Sequence, residues 1–284
     1  MSIGDNTKIL NYMYRTEYND AIYDFEEIIK ESILSQITSD IGKAEVMANT
    51  KLNYMWNSYM KIHDLELESK IVPIFDIVDE YSKKVSWIGV NDSKIEKSLK
   101  PFYKIRPALF KYIDRLDDRE YEILACIICE FLGAQKILLT DKGNEGGIDF
   151  FAQIQFSETA HFLFGLKGPI RIVGQCKKYA TRANASHMKE FLLTLNNVYN
   201  ISYRAGEVIP MWFKTGKGPI IGWHISHEGH QSGALDYAKN YGVIVSDSKE
   251  LVEVLCKSKA VRNMLDIDKI SYINSKLDEN LYST

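Results

Sequence analysis

The fold of this chain is decided by two short stretches, Gly146-Gly147-Ile148-Asp149-Phe150 and Gln175-Cys176-Lys177-Lys178-Tyr179. Each belongs to an apolar run that is predicted to be a β-strand, residues 148–156 and residues 169–179. The first strand begins beside Asp149, and the second ends on Gln175 and Lys177. We therefore expect these three polar side chains to lie together at one edge of an otherwise apolar sheet.

A helix is predicted in front of this edge, over residues 118–132. Asp117 or Asp118 marks its start, because acidic side chains are stabilised by the positive end of a helix dipole, and Gly133 supplies the stop. Glu122 falls on the first full turn of this helix. The helix thus adds a second carboxylate to the predicted site.

The remaining elements of this half alternate between strands and helices. Predicted strands cover residues 136–140, 209–213, 219–226 and 243–246, and predicted helices cover residues 186–199, 232–241 and 248–257. Ser186 is the expected cap of the first of these helices. This order predicts an α/β fold with a mixed sheet flanked by helices, in a domain of residues 113–284.

The first 112 residues carry apolar side chains at every third or fourth position, which is typical of helices. The pattern begins near residue 17 and includes residues 71–84. We predict an all-α N-terminal domain of residues 1–112, with a role in recognition, sensing or dimerisation. Its Met, Tyr and Trp side chains favour a buried core or a partner interface over a ligand pocket or a DNA-facing surface.

Composition limits the class of protein. The chain has 284 residues, 45% of them hydrophobic, so it can bury a sizeable core. Its net charge of -3 and pI of about 6.1 exclude a globally basic protein. Any contact with nucleic acid must therefore come from local clustering of Lys and Arg.

One such cluster exists, because no Asp or Glu occurs between residues 159 and 189. The basic side chains of this stretch are Lys167, Arg171, Lys177, Lys178, Arg182 and Lys189. The stretch suits contact with phosphates, although a solvated helix and strand edge would produce a similar run. We expect Lys167, Lys178, Tyr179 and Arg182 to contact DNA.

Sequence features of membrane and disulfide-bonded proteins are missing. The apolar runs fall short of the roughly 20 residues that cross a bilayer, and residues 1–14 lack an apolar signal-peptide core. We expect a cytoplasmic protein without membrane contact. The four cysteines do not resemble a disulfide framework, and Cys126 and Cys129 lie in an apolar helix without a second ligand pair, so we assign them to packing.

The predicted site suits hydrolysis of a phosphodiester bond, which requires an activated water and stabilisation of charge on the phosphate and the leaving oxygen. Mg²⁺ serves these needs and is typically held by one or two carboxylates, here Asp149 and Glu122, to which Gln175 can add an amide oxygen. Lys177 shares a strand face with Gln175, where its ammonium can orient water or phosphate. Each residue alone is explained equally well as a solvated or turn residue, whereas their joint pattern favours a nuclease.

A resemblance to the Mrr-like restriction endonucleases of the PD-(D/E)xK superfamily is carried by Tyr121-Glu122, Gly133, Gly146-Gly147-Ile148-Asp149 and Gln175-Cys176-Lys177-Lys178-Tyr179. It extends over residues 117–255. The resemblance implies a restriction-endonuclease-like fold and Mg²⁺-dependent cleavage of double-stranded DNA, with Mn²⁺ as a substitute. It also implies an enzyme of type II or type IV restriction or of phage defence, most simply a homodimer because a duplex has two strands to cut.

The resemblance further implies catalytic roles for Glu122, Asp149, Gln175 and Lys177, with Asp149, Glu122 and Gln175 as the metal ligands. In the wider superfamily the position of Gln175 is an acid, so this departure leaves the number of metal ions open. It also keeps open a non-catalytic DNA-binding or assembly module that retains the fold. A Holliday-junction-type resolvase would share the site and differ in substrate.

Three histidines at a spacing of three, His224, His227 and His230, form a second pattern. On a helix they could hold Zn²⁺. The glycines around them predict a strand and a turn instead. We therefore favour histidines on the surface or in contact with DNA.

Overall fold

The computed structural model describes residues 4–88, 100–141, 147–155, 168–201, 209–262, 264 and 266–281. The chain divides into two compact units, Met1–Lys111 and Tyr112–Thr284. No helix in these described ranges is both long and apolar enough to cross a membrane.

The N-terminal unit is mainly helical, as predicted. Its helices are α1, Asp5–Arg15; α2, Phe25–Gln36; α3, Ile41–Glu68; and α4, Arg106–Arg115, which continues into the second unit. The long helix α3 begins at an ordinary cap, where the Asp40 side chain accepts a hydrogen bond from the Lys43 N–H at 3.0 Å.

A small antiparallel sheet accompanies these helices. Its strands are β1, Ile22–Asp24; β2, Phe75–Asp79; and β3, Lys84–Trp87, in the order β1-β3-β2. The prediction of a helix over residues 71–84 is therefore wrong. Pro73 lacks the N–H that a helix needs, and the Asp79 side chain accepts from the Tyr81 N–H at 2.9 Å, which stabilises the turn between β2 and β3.

The C-terminal unit has its helices and strands in the predicted order, except over residues 209–213. Its elements are α5, Asp118–Phe131; β4, Ala134–Leu139; β5, Phe150–Ile154; β6, Ile170–Lys177; α6, Ala185–Tyr199; α7, Met211–Lys214; β7, Ile220–Ser226; α8, Ser232–Tyr241; β8, Ile244–Asp247; α9, Ser248–Lys257; α10, Lys259–Arg262; and α11, Asp266–Leu281. The α/β class with a mixed sheet between helices is thereby confirmed.

The five strands lie in the order β4-β5-β6-β7-β8. Strands β4, β5 and β6 are antiparallel neighbours, whereas β6, β7 and β8 are parallel. The carboxyl ends of β6 and β7 therefore meet at the edge where β5 begins. Gln175 of β6 is paired with His224 of β7, and Lys177 is paired with Ser226.

The two faces of this sheet are covered by different helices. Helices α6 and α8 pack on one face, in an apolar core that includes Phe151, Val173, Phe191 and Ala234. Helix α5 packs against β4, β5 and β6, and α9 and α11 pack against α5. Because side chains alternate along a strand, Gln175 and Lys177 follow Val173 on the α6 face, while Cys176 lies on the α5 face.

Two local predictions in this unit are wrong. Residues 209–213 were expected to form a strand, but the short helix α7 begins after Pro210, whose fixed φ suits the start of a helix. Helix α6 is capped by Asn184, whose side chain accepts from the N–H groups of Ser186 at 2.9 Å and His187 at 3.2 Å. Asn184 accepts both bonds from outside the helix, so Ser186 is not the cap.

Candidate active site

Asp149 is held firmly at the start of β5. Its N–H donates to the Gly174 carbonyl at 2.9 Å, and its own carbonyl accepts from the Thr140 N–H at 3.0 Å. The carboxylate accepts from the Cys176 N–H through Oδ2 at 2.5 Å. Asp149 is only 5% exposed, so the sheet itself fixes the carboxylate against the end of β6.

Gln175 has one polar atom bound and one without a partner. Its Nε2 donates to the Gly147 carbonyl at 2.7 Å, which sets the orientation of the amide. Its Oε1 is buried and has no hydrogen-bond partner among the described residues. Gly147 adopts a φ of 84°, and a Cβ there would lie 2.9 Å from Thr194 Oγ1, so a side chain at this position would be strained and would crowd Thr194.

Lys177 lies on the same face as Gln175. Its Nζ is 6.0 Å from the centre of the Tyr179 ring, and within the described part of the chain it forms no ion pair. The positive charge of Lys177 also reaches His224. Burial chiefly, with the charges of His230, Lys177 and His187, lowers the pKa of His224 to about 3.

Glu122 lies on α5 and is related to the other three less directly. Its Oε2 forms an ion pair with Arg119 at 2.9 Å. Burial raises the pKa of the Cys176 thiol well above its ordinary value, and the charges of Asp149 and Glu122 add to that rise. The same two carboxylates add to the raised pKa of Cys126, after burial. Glu122 and Asp149 thus act on the same two thiols.

The structure therefore places Asp149, Gln175 and Lys177 together at one strand end, with Glu122 on the helix behind it. The described residues contain no group of three or more His, Cys, Asp and Glu side chains that could hold a metal ion. The predicted ligand set differs from such a group, because it combines two carboxylates with the amide oxygen of Gln175. That oxygen is the buried acceptor without a donor, which fits a hard cation.

The four residues expected to contact DNA have different surroundings. Tyr179 is 41% exposed and Arg182 is also exposed. Lys178 points the other way, with its Nζ donating to the carbonyls of Asp114, at 2.9 Å, and Leu116. Lys167 lies outside the described residues. DNA contact therefore stays a prediction for Tyr179 and Arg182, and for Lys178 it competes with bonds inside the protein.

The histidine pattern is resolved into two separate groups. His224 is fully buried, so the prediction of a surface position is wrong for this residue. Its Nδ1 lies 2.8 Å from Nε2 of His230, and its Nε2 has no partner among the described residues. His227 instead contacts Ser248 and Asp114. The apolar strand around His224 was the sequence signal for its burial.

No family model matches this sequence, and no curated protein matches it. Among solved structures, the fold is similar to the MspJI restriction endonuclease in complex with a 27-mer oligonucleotide, at 16% identity and a TM-score of 0.39, over 64% of this chain and 35% of that one. It is also similar to the DNA modification-dependent restriction endonuclease AspBHI, at 14% identity and a TM-score of 0.37, over 69% of this chain and 44% of that one. The chain spans less than half the length of either structure.

Proposed function

We propose that this chain is a Mg²⁺-dependent DNA endonuclease of the restriction or phage-defence type, related to the Mrr-like enzymes, which hydrolyses phosphodiester bonds in double-stranded DNA. One observation carries the proposal. Three buried polar atoms at the paired ends of β6 and β7, Gln175 Oε1, His224 Nε2 and Ser226 Oγ, have no partner among the described residues. Because buried polar atoms are nearly always paired, this concentration beside Lys177 favours a site for a polar ligand or ordered water.

Asp149, Glu122 and Gln175 would hold Mg²⁺, for which Mn²⁺ can substitute. Two carboxylates and an amide oxygen are ligands of the kind that Mg²⁺ prefers. When bound, the ion would supply a positive charge that offsets the charge developing on the scissile phosphate. The bond from Gln175 Nε2 to the Gly147 carbonyl fixes the amide group, and it leaves Oε1 without a hydrogen-bond partner among the described residues.

Lys177, Tyr179 and Arg182 would contact the phosphates of DNA. The ammonium is held beside the Tyr179 ring and not by a described carboxylate, so it remains available to a phosphate oxygen or an attacking water. Tyr179 and Arg182 are exposed just after the strand, where the DNA backbone would pass. Asp149 keeps its position without substrate, because both its backbone groups and its carboxylate are hydrogen-bonded.

The test is cleavage of plasmid DNA, unmodified and methylated, with Mg²⁺ or Mn²⁺ and with EDTA as the control. Asp149→Asn and Lys177→Ala are each expected to lower the cleavage rate by about 100-fold or more, because each removes a charge acting on the transition state. Matched controls are Asp236→Asn and Lys239→Ala, two exposed positions on α8 that should leave the rate unchanged. Near-normal cleavage by either site variant, with its melting temperature unchanged, contradicts the assignment.

The same assay separates the alternative functions. A wild-type protein that binds duplex DNA and cleaves none of the offered substrates would be the non-catalytic module. Cleavage of a four-way junction in preference to linear duplex would indicate the resolvase. A homodimer is proposed because two strands must be cut, and the mass of the protein on DNA together with the ratio of linear to nicked product tests it.

A further inference from the structure

Lys178 follows Lys177 directly but is surrounded by protein groups. Its Nζ donates to the carbonyls of Asp114, at 2.9 Å, and Leu116, which lie just before α5. Burial lowers the pKa of Lys178, and four carboxylates oppose this by favouring the charged amine. They are Asp114, Asp118, Glu120 and Asp117. A lysine held among carbonyls and carboxylates is not presented to the phosphates of DNA.

His227 ties the same segment to two further elements. Its Nε2 lies 3.3 Å from Asp114 Oδ1, and its Nδ1 lies 2.8 Å from Ser248 Oγ at the start of α9. Ser248 Oγ is in turn 3.0 Å from the Tyr121 hydroxyl on α5. The backbone N–H of His227 donates to the Lys177 carbonyl at 2.9 Å, so the same network also includes the end of β6.

The order serine, histidine, aspartate also occurs in nucleophilic hydrolases. Here the serine cannot serve as a nucleophile, because Ser248 is only 2% exposed and its hydroxyl also contacts Tyr121. The His227 ring packs edge-on against Tyr121, with ring centres 5.9 Å apart. The network therefore joins elements of the fold and offers no access to a substrate.

We propose that Lys178 and His227 are positioning residues, which hold the start of α5 against the end of β6 and so place Glu122 relative to Gln175 and Lys177. This role rests on the proposed nuclease function. Glu122 comes from a different element than the other three site residues, and Tyr121, its neighbour in the chain, is inside the network. A displacement of roughly 1 Å in such a site lowers a rate by about 100-fold. The contacts of Lys178 and His227, together called the tether, would therefore affect the cleavage rate although neither side chain contacts DNA.

The experiment compares Lys178→Met, Lys178→Arg and His227→Gln with the control Lys276→Met. Lys276 also contacts α5, but at its other end, through Glu130 at 3.0 Å. We expect Lys178→Met and His227→Gln to lower kcat about 10- to 100-fold with little change in KM, and Lys178→Arg to recover part of the loss. Lys276→Met should leave kcat unchanged.

Two further measurements separate a tether from a DNA contact. The rate of amide hydrogen exchange over residues 114–122 should rise in Lys178→Met and His227→Gln and stay constant in Lys276→Met. In EDTA, the slope of the logarithm of duplex affinity against the logarithm of salt concentration should be the same in all variants as in the wild-type protein. A slope reduced by about 0.9, with a raised KM and unchanged exchange, would identify Lys178 as a phosphate contact and overturn the proposal.

The outcome remains decisive if the nuclease function itself fails. Should the wild-type protein cleave no DNA, hydrogen exchange still reports whether Lys178 and His227 hold the start of α5, and unchanged exchange in both variants contradicts the tether. Should Lys178→Met not fold, Asp114→Asn provides the second test. It weakens the contact with His227 and keeps the carbonyl that Lys178 binds.

Discussion

The two faces of the five-stranded sheet differ most at the end of β6. On the α6 face, Gln175 Oε1, His224 Nε2 and Ser226 Oγ are buried without a partner among the described residues. On the α5 face, the thiol of Cys176 is packed near Cys126, and the Lys178 ammonium that follows is bound by two carbonyls. At this strand end the α6 face keeps polar atoms of β6 and β7 available, whereas on the α5 face the Lys178 ammonium joins elements of the protein.

This difference teaches that one short motif can serve two purposes. Alternation along the strand sends Gln175 and Lys177 to one face and Cys176 to the other, so adjacent residues of the same stretch meet unrelated surroundings. Charge alone does not distinguish them, because Lys177 and Lys178 are the same residue type. Their neighbours decide which lysine is available to a substrate.

The largest expected effect concerns how tightly each face is packed. A Cβ on Gly174, which faces α5, would meet atoms of the Phe150 ring at 2.0 to 2.5 Å, and that ring is fully buried beside Trp223. A Cβ on Gly222, which faces α6, would meet the flexible end of the Leu195 side chain at 2.8 Å and the Phe191 ring at 3.0 Å, which are longer distances than those at Gly174. We expect Gly174→Ala to lower the free energy of unfolding by about 3 kcal/mol or more, and Gly222→Ala by about 1 kcal/mol.

Urea denaturation measures both losses on the same scale. The slope of the unfolding free energy with urea serves as the internal control, since it should be unchanged in both variants. Equal losses of unfolding free energy at the two positions would contradict the tighter packing of the α5 face.

Strong local patterns explain how much of the fold could be predicted. The strands around Asp149 and Lys177 are predictable because long apolar runs alternate with turn residues. Helix α5 is predictable because acidic residues mark its start and Gly133 its end, and in the structure Asp117 and Glu120 form a capping box there. The prediction of a helix over residues 71–84 is wrong because a short apolar segment fits a helical or a strand period equally well. The prediction of a strand over residues 209–213 is wrong for the same reason, since α7 is only four residues long.

The site could be predicted only where its members are close in sequence. Gln175 and Lys177 are two residues apart, so alternation alone places them on one face. The bond between Lys178 and Leu116 joins residues that are 62 positions apart, and the contact of His227 with Asp114 joins residues that are still further apart in the chain. No pattern within a short window reports such pairs, so the basic run predicted a phosphate contact for Lys178 without showing its partners.

The second expected effect is a loss of stability in acid on the α6 face. The pKa of His224 is lowered to about 3, chiefly by burial, and that of His230 is also lowered, chiefly by burial. Above an unfolded pKa of about 6.5 both states of His224 are neutral and the full stability is present. Between about 6.5 and 3 only the unfolded state binds the proton, which lowers the free energy of unfolding by about 2 kcal/mol at pH 5.

Thermal unfolding in EDTA at pH 7.5 and pH 5 tests this effect. His224→Gln should reduce the difference in melting temperature between the two conditions, because the side chain that titrates has been removed. An identical difference in the wild-type protein and the variant would show that other groups cause the acid sensitivity.

The third effect extends the comparison to the arginines of the acid-free stretch. Arg171 is bound inside the protein, with Nε donating to the Gly218 carbonyl at 3.1 Å and Nη1 donating to the Phe213 carbonyl at 2.7 Å. Its guanidinium also lies 5.3 Å from the centre of the Phe213 ring. We expect Arg171→Gln to lower the free energy of unfolding by about 1–2 kcal/mol and to leave the salt dependence of DNA binding unchanged. A changed salt slope with full stability would contradict this structural role.

The smallest effect on stability is expected at Arg182, which is exposed between Tyr179 and α6. Arg182→Gln should leave the melting temperature within about 1 °C of wild type, because surface substitutions change stability little. If Arg182 contacts one phosphate, the slope of the logarithm of affinity against the logarithm of salt concentration should become shallower by about 0.9. Arg171→Gln is the matched control, since it removes the same charge from a guanidinium already bound by the protein. A wild-type slope in both variants would mean that neither arginine contacts a phosphate, and it would contradict the predicted DNA contact of Arg182.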